Sequence, residues 1–296
     1  MKRTISIAVA SIAVGVLVLA LKYAAYHVTG SVAFYSDALE SVINVAASVA
    51  ALVALTVSAK PADQSHPYGH HKVEYFSAVF EGVLIVGAAL LIVREAYFRF
   101  LEPVAVDAPG LGIALNAAAT ALNGLWCWVL LREGRRLRSP VLVADGRHLQ
   151  ADVVTSVGVV TGIVLATWTG WLILDPILAG LVAISILWSG YALIRDSVGG
   201  LMDAAAPADE RERIQSVISE HGQGAIEAHD LRTRHAGPQT FIEFHLVVPR
   251  EMTVWEAHEI CDRIEHGLEA AFGKVHVTIH VEPDQKAKHS GIVVLT

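Results

Sequence analysis

Charge is scarce in this sequence: Asp, Glu, Lys and Arg make up 17% of its 296 residues, against roughly a quarter in soluble domains. A chain this poor in charge is not expected to fold as a soluble enzyme. The charge it does carry forms no long basic run and sums to −7, so nothing calls for a nucleic-acid partner. Cysteine is also rare. Cys127 and Cys261 are the only two, and they fall in segments expected to face different solvents, which excludes a disulfide framework. Neither a nucleophile paired with a base nor a phosphate-cradling loop is present, so the chain is not read as an enzyme.

Apolar residues, by contrast, amount to 54% of the chain, and they are concentrated. Six stretches, near residues 5 to 27, 32 to 58, 75 to 100, 111 to 131, 141 to 168 and 172 to 194, are apolar for membrane-spanning lengths. About 20 apolar residues cross a bilayer as a helix, so six spans are expected. The first stretch follows Met1-Lys2-Arg3 in the manner of a signal peptide, but its length and the lack of a clear cleavage site favour a retained span. Basic residues set the orientation. Lys2 and Arg3, then Lys60 and Lys72, then Arg132, Arg135, Arg136, Arg138 and Arg147 flank alternate ends of the spans, and those ends are expected in the cytosol, with both termini.

After Asp203-Ala204-Ala205-Ala206-Pro207 the apolar runs stop. Residues 1–205 therefore read as a membrane domain and 206–296 as a soluble one. Within the second, the patterns predict a helix over 208–221, strands over 226–234 and 240–248 joined through Ala236-Gly237-Pro238, a helix over 253–271 and a strand over 275–282. That order resembles a truncated ferredoxin-like unit. From Asp284 onward the chain reads as a loose tail. The expected fold is an α-helical integral membrane protein with six transmembrane helices and a C-terminal α+β ferredoxin-like, metallochaperone-like cytosolic domain.

Ionisable groups inside a membrane are costly and face a cavity, a partner or an ion. The second span holds Asp37, Glu40 and Asn44, and the fifth holds His148 and Asp152. Residues four apart share a helix face, so Glu40 with Asn44 and His148 with Asp152 form two donor pairs. Brought together they supply four N and O ligands, which suits tetrahedral zinc. Two carboxylates would balance the charge of a divalent ion. Either pair alone also fits a helix-packing role. The link Pro61 to Lys72 is dense in histidine, and Asp63, His66 and His70 could converge on one metal or belong to a solvated loop. In the soluble domain His229, His245, His258, His280 and Glu282 are either further candidate ligands, with His280 and Glu282 on one face of a strand, or, the reading their scatter alone favours, surface and strand-edge groups.

Four phrases, Ser36-Asp37-Ala38-Leu39-Glu40, His66-Pro67-Tyr68-Gly69-His70-His71-Lys72, His148-Leu149-Gln150-Ala151-Asp152 and His229-Asp230-Leu231-Arg232-Thr233-Arg234, resemble the cation diffusion facilitator family in order and spacing over nearly the whole chain. The resemblance implies a homodimer in the bacterial inner membrane, in contact with lipid, that exchanges a cytosolic divalent metal ion for protons by alternating access. It implies a transport site of Glu40, Asn44, His148 and Asp152, with Asp37 in a supporting role. It also implies a link site of Asp63, His66 and His70 and a tail site of His229, His245, His258, His280 and Glu282, where metal stabilises the dimer. Lys72 and Asp203 match positions of an ion pair at the dimer's membrane-cytosol boundary. No organic cofactor is implied.

The second span departs from the family pattern. Zinc-transporting relatives carry Asp or His at the first position and Asp at the second, where this chain has Glu40 and Asn44. An amide is a neutral ligand that releases no proton. Zinc leads, and harder ions such as manganese or iron gain from the amide oxygen. Competing readings are a membrane-anchored metal sensor that moves nothing and a passive channel.

Overall fold

A computed structural model describes residues 2–29, 32–102, 110–169, 171, 173–288 and 292–293. The chain divides into two compact units, Met1–Val198 and Gly199–Thr296.

The first unit is built from six long helices: α1 (Lys2–Thr29), α2 (Val32–Ser58), α3 (Val73–Leu101), α4 (Gly110–Arg136), α5 (Pro140–Thr169) and α6 (Leu174–Leu201). Each has 27 to 30 residues, which at the usual helical rise is about 40 Å, more than the apolar thickness of a bilayer. Among the described residues three segments are long and apolar enough to cross a membrane: Arg3–Val28, Val73–Phe98 and Gly110–Arg136. A shorter apolar helical stretch runs over Asn44–Ser58.

Many small side chains pack inside this unit, beside buried clusters of larger ones, and many large apolar side chains lie outside. Ala8, Ala25, Ala47, Ala51, Ala78, Ala89, Ala119 and Ala144 are buried, while Leu17, Val53, Leu91, Leu125, Leu181 and Trp188 are exposed. That distribution suits helices whose outer faces meet lipid and whose backbones must approach closely. Gly82 of α3 and Gly190 of α6 mark such an approach: a Cβ on Gly82 would lie 2.6 Å from Ile194 Cγ1, and one on Gly190 would lie 2.9 Å from Val86 Cγ2.

Helices α4 and α5 form a tight hairpin. Only Leu137–Ser139 separate them, Ser139 N donates to Gly134 O at 2.9 Å, and Pro140 opens α5 at a position where its missing N–H is no loss. A Cβ on Gly146 would stand 2.9 Å from Leu131 Cγ, and Cys127 Sγ reaches Gly146 O at 3.2 Å. The two helices stay in contact from the turn as far as Asn123 and Asp152.

The second unit contains α7 (Ala208–His221), β1 (Glu227–Ala236), β2 (Gln239–Val248), α8 (Val254–Phe272), β3 (Val275–Pro283), a 3-10 turn over Asp284–Lys286 and β4 (Ile292–Val293). The sheet order is β3-β2-β1-β4. Strands β1 and β2 form an antiparallel hairpin. Strand β3 joins β2 in parallel, and α8 supplies the crossover that a parallel pair requires. Ile242, Phe244 and Leu246 point from β2 into a core with Ile214 and Ile218 of α7 and Ile264 and Leu268 of α8. A capping box fixes the start of α8: Thr253 Oγ1 accepts from Glu256 N at 3.2 Å, and Thr253 N donates to Glu256 Oε2 at 2.8 Å.

The expectation of a loose tail after Asp284 is corrected here. Asp284–Lys286 make a helical turn, and Ile292–Val293 pair with Ala228 and Glu227. An open strand edge presents unpaired backbone groups, and β4 covers that of β1 at its first two residues, Glu227 and Ala228.

Candidate metal centres

In the membrane unit two of the expected donors meet, Asn44 of α2 and His148 of α5. His148 Nε2 and Asn44 Oδ1 lie 2.5 Å apart. Asn44 is 4% exposed, His148 6% and Asp152 3%. An amide oxygen only accepts, so the Nε2–H of His148 donates and Nδ1 keeps a lone pair. That Nδ1 and the amide nitrogen of Asn44 are buried with no hydrogen-bond partner. Asp152, one turn along α5, is held differently. Lys22 Nζ of α1, itself 1% exposed, donates to both its oxygens at 3.0 and 3.2 Å, and Asn123 Nδ2 of α4 donates to Oδ2. Asp37 and Glu40 belong to α2, but their side chains lie outside the described residues.

Lys22 and Asn123 are absent from the sequence reading. The available signal was their chemistry: a lysine and an asparagine inside apolar runs are as unusual as the groups that were noticed. Further buried acids line the same unit. Asp145 accepts from Ser11 of α1 at 2.7 Å and Ser48 of α2 at 3.2 Å, and Trp126 Nε1 donates to Ser11 Oγ at 2.7 Å. Glu74 accepts from Ser58 and Ser139 at 2.8 and 2.5 Å. Glu81 is fully buried with no hydrogen-bond partner on either oxygen. Among the described residues of this unit the buried acids are Glu74, Glu81, Asp145 and Asp152 and the buried lysine is Lys22, which pairs with Asp152.

The link between α2 and α3 gathers its three expected donors. Ligand atoms of Asp63, His66 and His70 all lie within 4.8 Å of one another. Asp63 is 3.5 Å from His66 Nδ1 and from His70 Nε2. Hydrogen bonds from the Ser65 hydroxyl and the His66 backbone N–H, with a smaller one from Ser65 N, hold the Asp63 carboxyl down at about 2 from its ordinary 3.8. Gly69 in this link has φ +85°, a conformation that favours glycine.

In the second unit His229, His245 and His280 stand directly opposite one another on β1, β2 and β3. Their rings are 5.3 and 4.9 Å apart in turn. Glu282 reaches all three, at 3.4 Å from His229 Nε2, 3.3 Å from His245 Nδ1 and 3.7 Å from His280 Nε2. His229 Nδ1 donates to Glu227 Oε1 at 2.9 Å, which leaves the Nε2 lone pair facing a carboxylate oxygen with no hydrogen bond. Two acceptors face to face are what a cation between them would relieve, and a carboxylate behind the imidazole is the usual support for a metal-bound histidine. A bulge between His229 and Arg232, with Asp230 at φ 55°, re-aims this strand. Asp230 joins His229 and His245 within ligand distance, a residue the sequence reading passed over although it adjoins His229. His258 lies apart on α8, 3.7 Å from Asp262 of its own helix. Asp203 pairs with Arg234 at 3.3 Å, and Lys72 belongs to the other unit.

A membrane-type helical domain with polar ligands in its interior, followed by a small α/β domain with a histidine row on one sheet face, defines a class of metal-handling membrane protein. Sequence comparison agrees. The family described as cation efflux transmembrane domain matches residues 8–202, and that described as cation efflux protein, cytoplasmic domain, matches residues 206–284. An uncharacterised transporter of Synechocystis is 44% identical over 95% of this chain and 91% of its own. The cation-efflux pump FieF of Serratia proteamaculans is 33% identical over 94% and 92%, and that of Escherichia coli K12 is 31% identical over 93% and 91%. A solved structure described as the zinc form of a putative zinc transporter CzrB is 48% identical over 29% of this chain and 98% of its own, at a TM-score of 0.28. The chain belongs to the cation diffusion facilitator, or cation efflux, family. That family is one of cation efflux transporters.

Proposed function

We propose that the protein is a metal/proton antiporter of the bacterial inner membrane that exports a divalent transition-metal ion, zinc first, by alternating access. The observation that carries the reading is the convergence of Asn44 and His148 at 2.5 Å on neighbouring buried helix faces, with Asp152 one turn away and equally buried. Glu40 completes the transport site, and Asp37 supports it. Metal and protons compete for the same ligands: a carboxylate and an imidazole take either. Asn44 takes no proton, so it contributes to metal choice and not to exchange.

In this reading all six helices span the bilayer within a membrane domain of residues 1–205, both termini are cytosolic, and residues 206–296 form a ferredoxin-like domain that dimerises. The link cluster Asp63, His66 and His70 collects cytosolic metal. The histidine row with Glu282 binds metal that stabilises the homodimer, and His258 joins it in the assembled state. Lys72 and Asp203 pair across the dimer at the membrane boundary. The rival reading, a membrane-anchored sensor without transport, explains the histidine row and leaves the buried donors of α2 and α5 without a task.

The deciding experiment measures zinc, manganese and iron flux into proteoliposomes under an imposed pH difference. Asp152→Ala is expected to lower metal-driven proton movement at least tenfold while the protein still folds, and Asn44→Asp is expected to change the order of the three metals. Normal flux in the first variant defeats the reading.

A further inference from the structure

Resting on the transport reading above, we propose that Lys22 is a built-in competitor for the metal. Its ammonium group holds Asp152 while no ion is bound and withdraws when the metal arrives, and this exchange sets how tightly the transport site holds its cargo.

The two halves of the donor set are in opposite conditions. His148 Nδ1 and Asn44 Nδ2 are buried with no hydrogen-bond partner. Both oxygens of Asp152 are engaged, by Lys22 at 3.0 and 3.2 Å and by Asn123. A zinc ion binds a carboxylate oxygen at about 2.0–2.2 Å, so one placed on Oδ1 could be no more than about 5 Å from the ammonium nitrogen. Two cations that close in a poorly screened interior repel strongly. Ammonium and metal therefore alternate on Asp152.

The location argues against simple helix glue. A buried ion pair is a weak stabiliser, because both charges lose their hydration, and inside a membrane the penalty grows. Apolar contacts already hold α1 against its neighbours, through Ala8 among residues of α2, α4 and α5. The pair also falls on one of the few acids expected to bind metal. Lysine suits the task better than arginine would. Its single point charge sits on a flexible stem, so it can swing away, whereas a guanidinium would grip both carboxylate oxygens in a fixed fork.

The test is zinc binding to the full-length protein in nanodiscs at constant pH, with the other two clusters silenced by Asp63→Ala, His66→Ala, His229→Ala and His245→Ala. Lys22→Met is expected to tighten zinc binding at least tenfold and to make thermal stability more dependent on zinc. Lys22→Arg is expected to weaken binding at least tenfold. Opposite signs are the signature, since a structural role would leave the arginine variant like the parent and impair the methionine one. If Lys22→Met does not fold, the arginine variant decides through a double-mutant cycle: its effect is expected to vanish in an Asp152→Asn background. Parent-like affinity in both lysine variants, or an arginine effect that persists in Asp152→Asn, overturns the inference while leaving transport intact. A parent that binds no zinc in this background removes the transport reading as well.

Discussion

At the scale of single residues, the chemistry is set by which groups face one another without water. Asp63 shows the exposed case. Its carboxyl stays ionised because a hydroxyl and backbone N–H groups donate to the charged form, with the Ser65 side chain first among them. A depressed folded pKa means the charged form is favoured above the ordinary value of 3.8 and that this preference is lost as pH falls toward about 2. Ser65→Ala is expected to move the Asp63 titration upward toward 3.8, read by carbon NMR of a labelled carboxyl; an unmoved titration would mean the backbone donors alone hold it. The residues that sequence inspection found, such as His148 and Asp152, were legible because a four-residue spacing marks one helix face. Lys22 was not. Near the end of an apolar run a lysine reads as a group reaching for the membrane surface, and only the fold shows it turned inward to a partner 130 residues away.

At the scale of elements, local pattern and long-range pairing divide the credit. The long helices announce themselves by length and apolarity. The hairpin of β1 and β2 follows from two alternating runs around Gly237, whose φ is +54°. Strand β4 had no such sign, since two residues carry no period, and its existence depends on pairing with β1 across more than 60 residues. The histidine row likewise depends on register: His229, His245 and His280 come from three separate strands, and a slip of one residue would turn each to the opposite face. The start of α8 is a local matter. Thr253→Ala removes the side-chain half of its capping box, the bond from Glu256 N to Thr253 Oγ1, and is expected to cost about 1 kcal/mol, measured as faster amide exchange over the first turn of α8 in the full-length protein.

At the scale of the whole molecule, each unit solves a different problem with the same residue types. The first buries a few acids and Lys22 and exposes many large apolar side chains; the second buries an aliphatic core between helices and sheet and sets three histidines in a row across the sheet. The sequence order of the two units was readable from the change of composition near Asp203. The partners of the buried acids were not, because Ser11, Ser48 and Trp126 look ordinary until Asp145 is placed among them.

The short turn between α4 and α5 has a mechanical meaning. With three residues in the connection and glycine backbones pressed against facing side chains, the two helices are expected to move as one lever in the proposed transport cycle, with Asn123 kept beside Asp152. In that proposed cycle the lever is expected to shear past α2. A disulfide between Leu131→Cys and Gly146→Cys, inside the lever, should leave metal flux unaltered. One between Ser48→Cys and Asp145→Cys, across the sliding surface, should stall the machine until a reductant frees it.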